Sequence, residues 1–311
     1  MMRRRALGAL SGLVLLSSIG AGCDSTRNAT ADTRTTRAMR QDRLQRLLAD
    51  PDSSRRGSPL ARWILPPSLG EISGLALTAD GRLMAHDDEL GRITVVDHRE
   101  GVLLSQFMLG DRETLADFEG LTIAHGVIYM VTSQGALYEF REGADGTRVR
   151  FTTHDTRLGD ECEFEGVTYD AKFDALVMPC KTVYSRALRN HLVVYRWHLG
   201  TGAQSRLDRF TVPLRLVVGA NDWRGLHPTD ITVDPATGHY VMIASQEQAL
   251  VEITRGGTVV HSLPLPGEHP RAEGVAITVD GILIVADEAG RASPSLTLYR
   301  WPLAATESDS P

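Results

Sequence analysis

The chain has 311 residues, 42% of them hydrophobic and 23% charged, with a formal net charge of -6. This is the composition of an ordinary globular protein, long enough for a full core as one all-β domain or as two smaller domains. The negative balance, with no basic stripe carrying interleaved aromatics, sets nucleic acid aside as a partner.

The chain opens as an export signal. "MMRRR" is a positive start, and "ALGALSGLVLLSSIGAG" is an apolar run too short and too rich in small residues for a comfortable membrane span. Gly20, Ala21 and Gly22 lead into Cys23, so residues 1-22 resemble a bacterial lipoprotein signal, which implies that Cys23 is lipidated as the first mature residue. Gly20 stands where such signals usually carry leucine; the alternative is a plain secretory peptide, and both export the chain. Residues 23-58 are the expected tether. "DSTRNATADTRTTR" has almost nothing to bury and is expected to be disordered. Met39, Leu44, Leu47 and Leu48 then share helical spacing before Pro51, which predicts a short solvated linker helix, with a membrane-surface or partner helix as the alternative.

From residue 59 to 304 the chain repeats itself. "DFEG" at 117-120 returns as "EFEG" at 163-166, and the polar-then-small junction recurs at Ser73-Gly74, Glu119-Gly120, Glu165-Gly166, Asp230-Ile231 and Glu273-Gly274. Each junction opens a β-patterned run closed by a turn rich in Gly, Asp or Pro, and two more strands follow it. Four repeats add a fourth strand. The fifth runs instead into a tail, expected to be disordered over 305-311, while "ARWILPP" stands before the first repeat and resembles an outer strand. These features predict an all-β, five-bladed β-propeller with four-stranded blades, its N-terminal strand closing the last blade and removing an open edge. A six-bladed ring is the alternative. The long step between Glu165 and Asp230 is too short for four more strands and fits insertions around "YSRALRN" and "LVVGANDWRGL".

In such a ring the first strand of each blade lines the axis, so Ser73, Glu119, Glu165, Asp230 and Glu273 would meet at one mouth. Converging carboxylates repel unless a cation lies among them, and oxygen ligands suit Ca²⁺ better than Zn²⁺. Tight turns at 79-81 and 279-281 would set Ser73 opposite Asp87 and Glu273 opposite Asp287. The candidate metal ligands are therefore Glu119, Glu165, Asp230, Glu273, Asp87 and Asp287, with Glu71, Asp88, Asp117, Glu163 and Glu288 near them in sequence. The competing reading is that these acids only cap loop amides.

The stretches "GEISGLALTADGRLMAHDDELGRITVVD", "DFEGLTI", "HPTDITVDPATGHYVMIASQEQALVEI" and "AEGVAITVDGILIVADE" resemble the SdiA-regulated family of exported bacterial proteins, over residues 62 to 302. That family is distantly similar to NHL-repeat propellers. The resemblance implies a five-bladed ring with a calcium ion near the channel, and it implies no reaction.

Other features are weaker. Cys162 and Cys180 fall at the same mouth, in an export setting where a disulfide persists. Strict hairpin pairing sets Cys180 opposite Glu165, so a bridge requires the loop at 160-163 to fold back; a disulfide and two free thiols both stay open. His86, His227 and His269 fall near the mouth, as general-base candidates or as histidines that close loops. Trp63, Trp197 and Trp301 are expected to pack between blades. No zinc-enzyme, nucleophile-elbow or P-loop motif is present. Two function classes follow. One is a monomeric, lipid-anchored envelope module facing the periplasm, with calcium fixing its mouth and a protein, peptide or glycan as ligand. The other is a calcium-dependent hydrolase of an ester, lactone or phosphoester. Phytate is disfavoured, because only Lys181, Arg224 and Arg271 bring positive charge near the mouth.

Overall fold

A computed structural model describes residues 24-50, 57-200 and 207-303. The expected signal, Cys23 and the tail at 305-311 lie outside the described residues. No helix among the described residues is long and apolar enough to cross a membrane.

Five small sheets form a ring, a five-bladed β-propeller. Blade 1 comprises Ile72–Leu77, Leu83–Asp87, Arg92–Asp97 and Val102–Leu109, and blade 2 Phe118–Ala124, Val127–Thr132, Ala136–Phe140 and Phe151–Asp155. In blade 3 the inner strand is broken into Cys162–Phe164 and Thr168–Asp170, both pairing with Ala175–Val183, and His191–His198 and Leu207–Pro213 lie outside. Blade 4 is Asp230–Val233, Tyr240–Ala244, Ala249–Ile253 and Val259–Pro264. Blade 5 is Ala272–Ile277, Ile282–Asp287 and Ser295–Arg300, and Ala61–Ile64 pairs antiparallel with Ser295–Arg300 to complete it. The N-terminal strand thus closes the ring as the sequence predicts.

The core is divided into five interblade clusters, because a strand sends successive side chains to opposite faces. In Leu83–Asp87, Leu83 and Ala85 pack against Ile284 and Ala286 of blade 5. Met84, between them, joins Leu121 and Met130 of blade 2. Middle strands therefore bury both faces and read as continuous apolar runs such as "YVMIA" and "ILIVAD", whereas outer strands such as Val259–Pro264 are half exposed. Burial on both faces makes these runs apolar throughout, unlike strands with one wet face.

The structure refines several expectations. The fourth strand of the second repeat is preceded by a separate short strand: Arg148–Val149 runs parallel to Met108–Leu109 at the edge of blade 1, and Phe151–Asp155 closes blade 2. The expected insertions become the turn between Val183 and His191 and a short helix, Leu214–Val218, with its following loop. Upstream, a helix spans Asp24–Ala49. Leu44 of that helix is only 2% exposed and sits with Leu65 and Leu296, with Leu47 and Leu48 against the same cluster. Leucines at i, i+3 and i+4 make an apolar stripe, and the junction of blades 5 and 1 buries it, so this helix is docked where a solvated one is expected. Arg300 Nη2 donates to the carbonyls of Leu47, Leu48 and Asp50 at 2.6, 3.1 and 3.0 Å, satisfying the helix C-terminus.

Candidate functional site at the acidic mouth

The recurring acid–glycine word is a β-bulge. Phe118 pairs with Thr132 and Gly120 with Val131, leaving Glu119 as the extra residue; Ala272 pairs with Asp287 and Gly274 with Ala286, leaving Glu273. In blade 1 Ile72 pairs with Asp87 and Ser73 with His86, and Gly74 is the extra residue. The bulge shifts the register by one, so Ser73 is not opposite Asp87 and Glu273 is not opposite Asp287. A bulge also re-aims the side chain that it carries.

The glycines let the inner strands approach. A Cβ on Gly120 would lie 2.6 Å from the Val167 amide nitrogen, and one on Gly166 2.9 Å from the Asp230 Cα. One on Gly74 would lie 3.0 Å from the Gly120 Cα. Gly166, at φ +146, also breaks the inner strand of blade 3 where Asp230 abuts it.

Asp230 is fully buried, and its Oδ2 accepts from the amides of Val275 at 2.7 Å and Leu75 at 3.3 Å, its Oδ1 from Ile231 at 2.8 Å. Burial pushes its carboxyl well above the usual range, and the three amides pull against that. Asp230 thereby ties the inner strands of blades 4, 5 and 1.

Glu119, Glu165 and Glu273 come together above it, each within electrostatic reach of the others. Desolvation first, and then Glu165 and Asp117, push Glu119 up to about 9. Glu119 has no hydrogen-bond or ion-pair partner among the described residues, only charges around it. Burial and Glu165 push Glu273 up to about 7. Glu165 is raised by desolvation and held back by an ion pair with Lys181. On the blade 5 to blade 1 side, burial and a hydrogen bond with Glu71 push Glu288 up to about 8, and burial followed by Glu71 pushes Asp88 to about 6. Asp88 Oδ1 is buried without a hydrogen-bond partner.

Asp87 is spent within its own blade, whereas Asp287 engages only Oδ2 and keeps Oδ1 buried without a hydrogen-bond partner. Asp87 takes the Arg92 guanidinium and the Leu90 amide, and Asp287 takes His269 Nδ1 at 2.7 Å and Ser295 Oγ at 3.3 Å. No three His, Cys, Asp or Glu side chains among the described residues are already arranged to share a metal ion. The donor chemistry nevertheless suits a hard cation, since the convergent group is carboxylate throughout.

Cys162 and Cys180 are joined by a disulfide with Cα atoms 5.6 Å apart. A register shift between Glu163 and Phe164 places Cys162 opposite Val183 and Phe164 opposite Cys180, and that fold-back brings the sulfurs together. The histidines separate sharply. His86 and His269 are each 1% exposed, and His269 Nε2 meets the Tyr299 hydroxyl at 2.8 Å, so neither reaches a substrate. His227 is partly exposed, with Nδ1 2.7 Å from Oε1 of Glu247, whose side chain is only 6% exposed.

Lys181 and His227 are both expected near the mouth from the sequence, but their carboxylate partners are not. Lys181 ends its strand run at the place that Asp88 and Glu288 hold in blades 1 and 5, which sets a cation where those blades carry acids. The His227–Glu247 pair joins an interblade loop to the loop after Tyr240–Ala244, and spacing alone does not reveal it.

No family model matches the chain, and no curated protein matches it. The resemblance to the SdiA-regulated family therefore rests on the quoted stretches alone. Among solved structures, the glutaminyl cyclase of Myxococcus xanthus is similar at 15% identity over 78% of this chain and 94% of that one, with a TM-score of 0.53. The PQQ-bound aldose sugar dehydrogenase of Streptomyces coelicolor matches at 12% identity over 78% and 97%, with a TM-score of 0.48. Virginiamycin B lyase from Staphylococcus aureus matches at 13% over 76% and 69%, with a TM-score of 0.41. These neighbours are β-propeller proteins, and at such identities the likeness shows the fold alone.

Proposed function

We propose that the acidic mouth is a cation-binding site and that the chain is an exported binding module, tethered to the membrane by lipid at Cys23 and facing the periplasm. The observation that carries this reading is the convergence of Glu119, Glu165 and Glu273 around one lysine, with their carboxyls pushed upward by burial and by one another. Such a group holds protons it would otherwise lose, and a cation takes their place. Calcium is the candidate ion. Glu119, Glu273 and Asp88 have oxygens to give, and Glu165 joins when Lys181 releases it. Asp230 shapes the floor through its amide bonds.

Calorimetric titration of Ca²⁺ into chelator-treated full chain tests this, beside the double variant Glu119→Gln, Glu273→Gln. Binding of one ion per chain that weakens at least tenfold in the double variant supports the reading. Absence of binding to the unmodified chain leaves the acids as loop caps and removes it.

A second reading, a calcium-dependent hydrolase of an uncharged ester or lactone, is favoured by His227, whose imidazole is half in solvent and oriented by a buried carboxylate. In that reading the ion supplies Lewis acidity, while His227 accepts a proton from water at Nε2. Calcium-dependent turnover that is lost in His227→Gln would establish it.

A further inference from the structure

After Phe140 the chain leaves blade 2, runs parallel to the outer strand of blade 1 over Arg148–Val149, and returns to blade 2 as Phe151–Asp155. This excursion is tied down. The Gly146 amide donates to the Gln106 carbonyl at 2.8 Å, the Met108 amide to Thr147 at 3.0 Å and the Gly110 amide to Val149 at 2.8 Å, so the segment covers the free edge of blade 1. Arg148 Nη1 donates to the carbonyls of Leu109, Gly110 and Arg112 at 3.3, 3.3 and 2.7 Å. Where the excursion leaves blade 2 there is a cavity of about 430 Å³, with Val127, Phe140 and Val149 as its apolar lining. That volume is within the range of small-molecule sites.

Four charged side chains line the same cavity, Glu139, Glu142, Arg141 and Arg150. The acids are already matched. Glu142 takes the Arg82 guanidinium through both oxygens, at 2.5 and 3.1 Å, and Glu139 Oε2 lies 2.8 Å from His154 Nε2. The arginines are not matched. Arg141 Nη1 reaches only the Gly126 carbonyl, at 3.3 Å, and Arg150 has no hydrogen-bond or ion-pair partner among the described residues. Both arginines are exposed, so a molecule in the cavity can touch them.

The strand register sets this pair side by side. Phe151 pairs with Phe140 and Thr152 with Glu139, and one position further out Arg150 stands opposite Arg141. Directly opposed residues of an antiparallel pair have Cβ atoms about 4.5–5.5 Å apart, and like charges placed there destabilise the sheet. An anion between the two guanidinia replaces that repulsion with charge-assisted hydrogen bonds. A carboxylate suits the place, since its two oxygens accept from both arginines and it carries one charge. The second charge of a phosphate monoester would face Glu139 and Glu142, and an uncharged amide would leave the arginines unmatched.

We propose that this cavity is a binding site for a small monocarboxylate with a short apolar body, in which Arg141 and Arg150 hold the carboxylate and Val127, Phe140 and Val149 cover the chain. The third strand of blade 2 starts at the acidic mouth and ends here, so the site lies at the other end of the blade and needs neither the cation nor the lipid anchor.

Hexanoate, hexanamide and hexyl phosphate share a chain and differ in head group, so calorimetric titration of each into chelator-treated full chain at low ionic strength separates the classes. Hexanoate is expected to bind one per chain, at least tenfold more tightly than hexanamide and more tightly than hexyl phosphate. Arg150→Gln and Arg141→Gln, both at exposed positions, should each weaken hexanoate at least tenfold, whereas Arg186→Gln, on the face of the acidic mouth, should leave it unchanged. Thermal unfolding gives a second reading: without ligand Arg150→Gln should melt no lower than the parent, because a like-charge pair has been relieved. No saturable binding of hexanoate, hexanamide or hexyl phosphate binding as tightly, unchanged affinity in both arginine variants, or an equal loss in Arg186→Gln overturns the proposal.

Discussion

Replacing Gly120 with alanine puts a methyl carbon 2.6 Å from the Val167 nitrogen and 2.7 Å from both the carbonyl carbon and the Cα of Gly166. All three are backbone atoms of the neighbouring inner strand, so no side chain can swing aside to make room. Overpacking a core costs about 1–3 kcal/mol, and a displaced backbone puts this site near the top of that range. For a domain of this size each kcal/mol lowers the Tm by about 2–4 °C, so Gly120→Ala should melt about 6–12 °C below the parent. Gly200→Ala is the control: a Cβ there meets nothing within 4 Å, and its Tm should not move. Thermal unfolding followed by circular dichroism reads both. If Gly120→Ala melts within a degree of Gly200→Ala, the inner strands are not packed at this spacing and the account of the repeated word as a close-approach glycine is wrong.

Three further outcomes are expected. Glu119, Glu288 and Glu273 rise to about 9, 8 and 7 in the fold from an ordinary 4.5, so over that interval the folded chain binds more protons than the unfolded one. Stability should therefore be highest at the acid end and fall as pH rises from about 5 to 9 in chelator-treated protein, with calcium flattening the fall; a Tm that rises with pH there contradicts the raised values. Lys181→Met frees Glu165 from a partly exposed ion pair worth about 1 kcal/mol, so calcium should bind about fivefold more tightly by calorimetry, and weaker binding would show the lysine to be an organiser of the site. The Cys162–Cys180 disulfide closes a sequence separation of 18. Replacing both cysteines with alanine should cost about 3 kcal/mol in denaturant unfolding, and a loss below 1 kcal/mol would show that the loop is fixed without it.

The ring was legible because each blade repeats the same physical demand. A bulge, a turn and two doubly buried strands leave a recurring pattern in the sequence, with "EG" in blades 2, 3 and 5, Ser73-Gly74 in blade 1 and Asp230-Ile231 in blade 4. The register was not legible, because a bulge adds one residue without any composition change; Ser73 opposite Asp87 is what an unbulged hairpin would give. The fates of Asp87 and Asp287 were hidden for a related reason. Their partners, Arg92 and His269, are chosen by side-chain packing inside a blade, and nothing in the spacing distinguishes an acid aimed at the axis from one turned outward. Helical spacing announced the helix around Leu44, but its docking depends on a groove formed by strands more than 200 residues away, at Leu296 and Leu298. Local pattern carries no information about that groove.

Asp230 departs from the other acids of the repeat. In blades 2, 3 and 5 the acid of the repeated word precedes glycine, and its side chain stays at the acidic mouth. In blade 4 the following residue is Ile231, and the carboxylate turns across the axis to take amides from Leu75 and Val275. Leu121, Val167 and Val275 of the neighbouring inner strands are buried as well. The acids of the repeat thus divide: Glu119 and Glu273 have no hydrogen-bond or ion-pair partner among the described residues, Glu165 pairs with Lys181, and Asp230 is consumed in tying inner strands together.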